Sequence, residues 1–292
     1  MLISGQSLSA QTLVAGIDFD ATNAAGGNIV LGQTGDLAVS VSGSAAASTV
    51  QAAGAIDVNA ATVSADAVTG HEDITLAGTT TGSGGVDVNG QILGGGDVSI
   101  SGSSITAGTI VSGVDFAATS TSGGNIALAS SGDLSLASAG NIDAGTLLSA
   151  GNLGAGGANV TADAVTAQGD VMLGGAINVS GQILGAGNVS ITGQSLSAQT
   201  LIAGIDFDAT NTAGGNIALG QTGDLTVSVS GGAAASTIQA AGAINVTAAS
   251  VTAGAITGHK NITLSGVTGA TTGSGRVDIS GQVLGGGDIG IS

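Results

Sequence analysis

Cysteine, proline, tryptophan and tyrosine are absent, and aromatic residues make up 1% of the 292 residues. Without cysteine there is no disulfide staple, no cysteine-held structural zinc and no thiol catalysis. Without proline no strand loses a ladder donor. Charged residues are scarce at 7%, and only Lys260 and Arg276 are cationic, against a formal net charge of −17. That balance provides no phosphate-binding surface, which excludes direct nucleic-acid binding. An anionic membrane would repel the chain, and no apolar run approaches the length of a membrane span. Met1-Leu2-Ile3-Ser4-Gly5 has no basic start followed by an apolar core, so no signal peptide is read there.

What is present is glycine and aliphatic residues. There are 55 Gly, and 42% of the chain is hydrophobic. Low charge with abundant Ile, Val, Leu and Ala argues against disorder. Glycine without a triplet period and without proline argues against collagen. The acidity reads as solubility for an otherwise weakly charged surface.

The chain repeats itself. Gly26 to Ser42 (GGNIVLGQTGDLAVSVS) returns at Gly123 to Ser138 (GGNIALASSGDLSLAS) and at Gly214 to Ser230 (GGNIALGQTGDLTVSVS). Each copy sets a Gly-Asn or Gly-Asp corner before a short alternating apolar run, as in Leu225, Val227 and Val229. This is the period-two signal of a strand bounded by turns. Matching the flanks divides the chain into units 1–97, 98–188 and 189–288, with 289–292 opening a fourth. Start and end share nearly one phase, so the chain is expected to be a cut from a longer array.

A finer period runs inside each unit. Apolar anchors recur every five to eight residues between Gly, Asn, Asp, Ser or Thr, for example Ile56, Val58, Val63, Val68 and Ile74. That spacing predicts an all-β chain folded as a parallel β-helix, a single continuous solenoid over 1–292. Three short strands would make a coil of about twenty residues, with about five coils per unit. Three units would then give a rod of ~70 Å at ~4.8 Å per coil. A sandwich or closed barrel would not explain units that begin and end in register. Heptads of helix formers are missing, which excludes a coiled coil.

Four groups of residues invite a chemical reading. His71 (TGHED) and His259 (TGHKN) are matched, with Gln168 at the middle unit's position; Glu72 and Asp73 become Lys260 and Asn261, so a metal or catalytic set is not repeated. Asp36, Asp97, Asp133, Asp224 and Asp288 each follow Gly, which raises calcium. Asn188 stands where Asp97 and Asp288 stand in the other units, and this favours turns held by side-chain to backbone hydrogen bonds. Asp18 and Asp20 flank Phe19, and Asp206 and Asp208 flank Phe207, an arrangement that raises glycoside hydrolysis. The middle unit reads Val114-Asp115-Phe116-Ala117, losing one carboxylate, and the three phenylalanines read as packing residues. Glycine-rich strings carry no phosphate-loop lysine and precede no helix. The reading therefore assigns no catalytic, cofactor-binding or metal residues.

GNIAL, GDLTVS, AGAINV and TGHKNITLSG segments resemble the haemagglutinin repeats of filamentous haemagglutinin-type exoproteins, the passengers of bacterial two-partner secretion. The resemblance covers essentially the whole chain. It implies a right-handed parallel β-helical shaft, export through an outer-membrane secretion partner that recognises a region outside this chain, and a secreted, cell-surface location. It also implies adhesion, aggregation or biofilm roles; some relatives carry a toxin for contact-dependent inhibition. The expectation is a non-enzymatic adhesin shaft whose partners are a host or neighbouring-cell surface, or other copies of itself. The rival expectations are a self-assembling extracellular filament or layer, the shaft of an inhibition toxin, and, least of all, a carbohydrate-active enzyme.

Overall fold

A computed structural model of the chain describes residues 1–17, 34–78, 84–114, 128–205, 219–266 and 275–292. Among these residues the fold is all-β, with no helix. Contacts divide the chain into two units, Met1–Gly151 and Asn152–Ser292.

The first unit holds β1 (Leu2–Gly5), β2 (Leu8–Ala15), β3 (Leu37–Val41), β4 (Ser44–Ala52), β5 (Ile56–Asn59) and β6 (Thr62–Gly70). It continues through β7 (Ile74–Ala77), β8 (Val86–Gly94), β9 (Val98–Gly102), β10 (Ile105–Ser112), β11 (Leu134–Ser138) and β12 (Asn141–Ser149). Pairing skips one element every time and is parallel: β1 with β3, β3 with β5, β5 with β7, β7 with β9 and β9 with β11. The even-numbered strands pair in the same way, from β2 with β4 through to β10 with β12.

This register follows from side-chain alternation. Within β5, Ile56 and Val58 are buried while Asp57 and Asn59 are exposed. Register then places like over like, so Leu37, Ile56, Ile74, Val98 and Leu134 form one buried row. Val39, Val58, Leu76, Ile100 and Leu136 form a second. A slip of one residue would turn both rows to solvent. Removing a large member of a row, such as Ile74, leaves a cavity at a typical cost of about 2–5 kcal/mol.

The even-numbered strands change parity midway. In β4, Ala45 and Ala47 face inward, then Ser48 is exposed, and Val50 and Ala52 face inward. The strand therefore serves two walls, in accord with three apolar runs between Ile56 and Ile74. Its final position is always small: Ala15, Ala52, Gly70, Gly94, Ser112 and Ser149. The packing explains why. A β-carbon on Gly94 would lie 2.6 Å from Cγ2 of Val98, the next row residue.

The second unit, also parallel, holds β13 (Leu153–Ala167), β14 (Val171–Val179), β15 (Gln182–Gly185), β16 (Val189–Ala203), β17 (Leu225–Val229) and β18 (Gly232–Ala240), and here the long strands β13 and β16 pair with sequence neighbours as well, β13 with β14 and β16 with β15 and β17. It ends with β19 (Ile244–Ala248), β20 (Ser250–Gly258), β21 (Ile262–Gly266), β22 (Arg276–Ile279), β23 (Val283–Gly285) and β24 (Ile289–Ile291). Val171, Val189, Leu225, Ile244, Ile262 and Ile289 share one row.

One expectation needs correction. The register passes through four steps, not about five, in the first ninety-seven residues: Leu2 pairs with Ala38, Leu37 with Ile56, Ile56 with Ile74, and Ile74 with Val98. Ile29, Val30 and Leu31 lie outside the described residues, and the row passes directly from β1 to β3. For the same reason only the later half of each GGNI… stretch, such as Leu225–Val229, is seen in the ladder.

Candidate functional site

One corner of each unit gathers most of the acidic and amide residues singled out from the sequence. The residue just before each row-forming strand is Asp36, Asp73, Asp97 or Asp133 in the first unit. In the second it is Asn152, Asp170, Asn188, Asp224, Asn261 or Asp288. Ala55 and Ala243 occupy the two remaining corners of this kind.

These side chains form a ladder. Oδ1 of Asp36 accepts the backbone N–H of Ala55 at 3.0 Å. Oδ1 of Asp73 accepts that of Asp97 at 2.9 Å, and Oδ1 of Asp97 accepts that of Asp133 at 2.8 Å. In the second unit Asn152 serves Asp170, Asp170 serves Asn188, and Asn188 serves Asp224, at 2.9, 2.7 and 2.9 Å. Asp224 then serves Ala243 at 2.8 Å, and Asn261 serves Asp288 at 3.0 Å. The bonds run from one step to the next, so they pin strand entry rather than closing a local turn. A carboxylate and a carboxamide both present the required acceptor oxygen, which is why Asp73 and Asn261 are equivalent despite their different charge.

The glycine beside each ladder residue is required by the same contact. A β-carbon on Gly54, Gly96, Gly151, Gly187, Gly242 or Gly287 would collide with the Oδ1 of the preceding ladder residue. The Gly-Asp and Gly-Asn pairs of the sequence are thus one structural unit. Sequence reading noted five of the aspartates and Asn188 but missed Asp73, Asp170, Asn152 and Asn261 as members. The usable signal was an Asp or Asn directly before the first residue of each apolar run.

His71 and His259 sit in equivalent exposed corners. The N–H of His71 donates to the Ala52 carbonyl at 3.2 Å, and that of His259 to the Ala240 carbonyl at 3.1 Å. Partial desolvation holds the imidazole of His71 below its usual value. Glu72 and Lys260 lie beside them and join the same corner through their backbones. Among the described residues, no three His, Cys, Asp or Glu side chains come together as a metal-holding group. Asp18, Phe19, Asp20, Asp115, Phe116, Asp206, Phe207 and Asp208 lie outside the described residues. Arg276 pairs with Asp278 at 2.7 Å on the surface, where such a pair adds little stability.

Inside the first unit, Leu13, Val39, Val50, Val58, Val68 and Leu76 close on one another and leave a gap of about 20 Å³. That is room for roughly one water rather than an organic ligand. The polar groups buried in the first unit's core are the hydroxyls of Ser112 and Ser149, both 0% exposed. Each donates to the Gly132 carbonyl at 2.8 Å, and they lie 3.0 Å apart. Ser149 also accepts the Gly151 N–H at 3.3 Å. With their partners supplied, they act as packing residues. The arrangement binds chain to chain: its polar groups are engaged in holding successive steps together. Comparison with known protein families, characterised proteins and solved structures finds no match for this chain.

Proposed function

We propose that the chain is a parallel β-helical solenoid and works as shaft material of a secreted bacterial surface adhesin. The observation that carries this reading is the skip-one parallel register. Strands eighteen or nineteen residues apart, such as those starting at Leu37, Ile56 and Ile74, pair with like residue over like residue. A chain that repeats this step can be lengthened without new design, because each step contacts only its neighbours and stability is local. The right-handed sense follows the usual handedness of parallel crossovers and the haemagglutinin-repeat resemblance.

The remaining chemistry agrees with a structural role. The ladder oxygens are occupied by backbone donors, the first unit's interior is filled, and cations are nearly absent. The reading assigns the chain no reaction. Its work is reach and rigidity, with export through an outer-membrane partner and contact with a host or neighbouring-cell surface. Electron microscopy of the protein tests it: thin rods lengthening with the number of repeats are expected, and compact spheres would overturn it. Regular fibres or sheets would favour the self-assembling alternative.

A further inference from the structure

The last step of the second unit leaves its row residues uncovered. Among the described residues β22 and β23 pair with β20, and β24 with β21, on one side only. Ile289 and Ile291 are 46% and 53% exposed, whereas their counterparts Val189 and Ile191 are both at 0%. In the first unit β2 likewise pairs on one side, with β4. Leu8 in that strand is half-buried, where its counterpart Leu196 is buried.

What covers such an edge is visible inside the second unit. Residues 180–185 (SGQILG) match 280–285 (SGQVLG) except that Ile183 is replaced by Val283. The stretch 193–204 (GQSLSAQTLIAG) lies on that inner edge. Ile177 pairs with Leu196, Ile183 with Leu201, and Val189 with Leu225 of the following strand. The N–H of Gln199 donates to the Gly181 carbonyl at 2.9 Å, and that of Ile205 to the Gly185 carbonyl at 3.0 Å. The N–H of Asp224 donates to Oδ1 of Asn188 at 2.9 Å. Residues 5–16 (GQSLSAQTLVAG) repeat the covering stretch with one change, Val14 for Ile202. The two open edges therefore carry both sides of an inner seam, each short of it by a single methylene.

We propose that the edge formed by β22, β23 and β24 receives β2 and β3 of a second copy of this chain, in the register of the seam at Gly181. Val277 then faces Leu8 of the second copy, Val283 faces its Leu13, and Ile289 and Ile291 face its Leu37 and Val39. Asp288 continues the ladder by accepting the N–H of the second copy's Asp36, as Asn188 accepts that of Asp224. Unpaired strand edges favour such pairing, and the exposed isoleucines leave water. The contact is heterologous, so each copy can engage one neighbour at each edge and association runs past the dimer.

One strand must yield. Residues 289–292 stand in the phase of 1–4, and β1 already pairs with β3. The two segments compete for one place, and β24 displaces the second copy's β1, whose Leu2 is 78% exposed. The inference rests on register within the chain, so it stands apart from the adhesin reading.

Analytical ultracentrifugation of the full chain over a concentration series tests it. Species growing in multiples of 26.8 kDa past the dimer are expected. Ile291→Asp sets a carboxylate into the buried row of the joint and should raise the half-association concentration at least about tenfold, because an unpaired buried charge is costly. Gly290→Asp puts the same charge on the outward face of the same strand, where salt screens it, and should change that concentration less than about threefold. Deleting Leu2, Ile3 and Ser4, or deleting residues 289–292, removes one competitor and should lower the half-association concentration. Deleting both leaves a gap in the row and should raise it. Circular dichroism and the urea midpoint of the dilute monomer should be unchanged in each variant, since the altered residues lie at exposed edges. Monomer throughout the series would overturn the proposal. Association that persists undiminished in Ile291→Asp, or that either single deletion weakens, would also overturn it.

Discussion

Oδ1 of Asp97 accepts the backbone N–H of Asp133 at 2.8 Å, while the N–H of Asp97 itself goes to Oδ1 of Asp73 at 2.9 Å. Three carboxylates thus stand one above another, the first two each accepting the backbone N–H of the next. The second unit alternates instead, Asn152, Asp170, Asn188 and Asp224, and separates the charges with carboxamides.

Asp97→Asn is expected to keep the ladder and to stabilise the first unit at low salt by removing like-charge repulsion. The gain should fade as salt rises. Asp97→Ala removes the acceptor and should cost about 1 kcal/mol, the usual net worth of a hydrogen bond. Urea midpoints at two ionic strengths separate these effects, and faster amide exchange at Asp133 identifies the bond lost.

The ladder of the second unit is interrupted at Ala243, whose N–H donates to Oδ1 of Asp224 but which has no side-chain oxygen to offer Asn261. Ala243→Asn should supply one and add roughly 0.5–1 kcal/mol. Slower amide exchange at Asn261 is the specific readout; unchanged exchange would mean that the new carboxamide points elsewhere.

Gly16 has φ of 75°, and a β-carbon there would lie 2.6 Å from the Ala53 β-carbon. Gly16→Ala should therefore cost at least about 1–2 kcal/mol, the penalty for an L residue in the left-handed region, with the collision added. Gly5→Ala is the control, because nothing lies within 4 Å of its β-carbon position. A small loss at Gly16 comparable to that at Gly5 would count against the close approach to Ala53.

Ser112 and Ser149 share the Gly132 carbonyl, which also accepts the Gly151 N–H at 2.9 Å. Either single change to Ala should cost about 1 kcal/mol, and the double change should cost less than their sum. Ala15, Ala52, Ala203 and Ala240 already fill the corresponding place elsewhere. A double-mutant cycle on urea midpoints measures the coupling.

His71 titrates below its unfolded value through partial desolvation. Its neutral form is favoured in the folded chain, so stability is complete above the ordinary imidazole pKa of about 6.5 and falls as pH drops through the lower folded value. NMR titration should give His71 a midpoint below that of a free imidazole. His71→Gln, the residue found at Gln168, should flatten this part of the pH–stability curve.

Alternation and glycine corners were enough to determine an all-β chain, because a period of two can satisfy only a strand with one buried face. Ile56, Val58, Val63, Val68 and Ile74 marked buried rows before any pairing was known. The Gly-Asp corners were also visible, but their role was not. A side chain that bonds the next step looks the same in sequence as one that closes its own turn, and only the register places the Asp133 N–H beside Asp97. The pairing of β1 with β3 depended on tertiary structure for a related reason. Leu2 and Ala38 lie far apart in sequence, and only the register, which no local period encodes, brings them side by side.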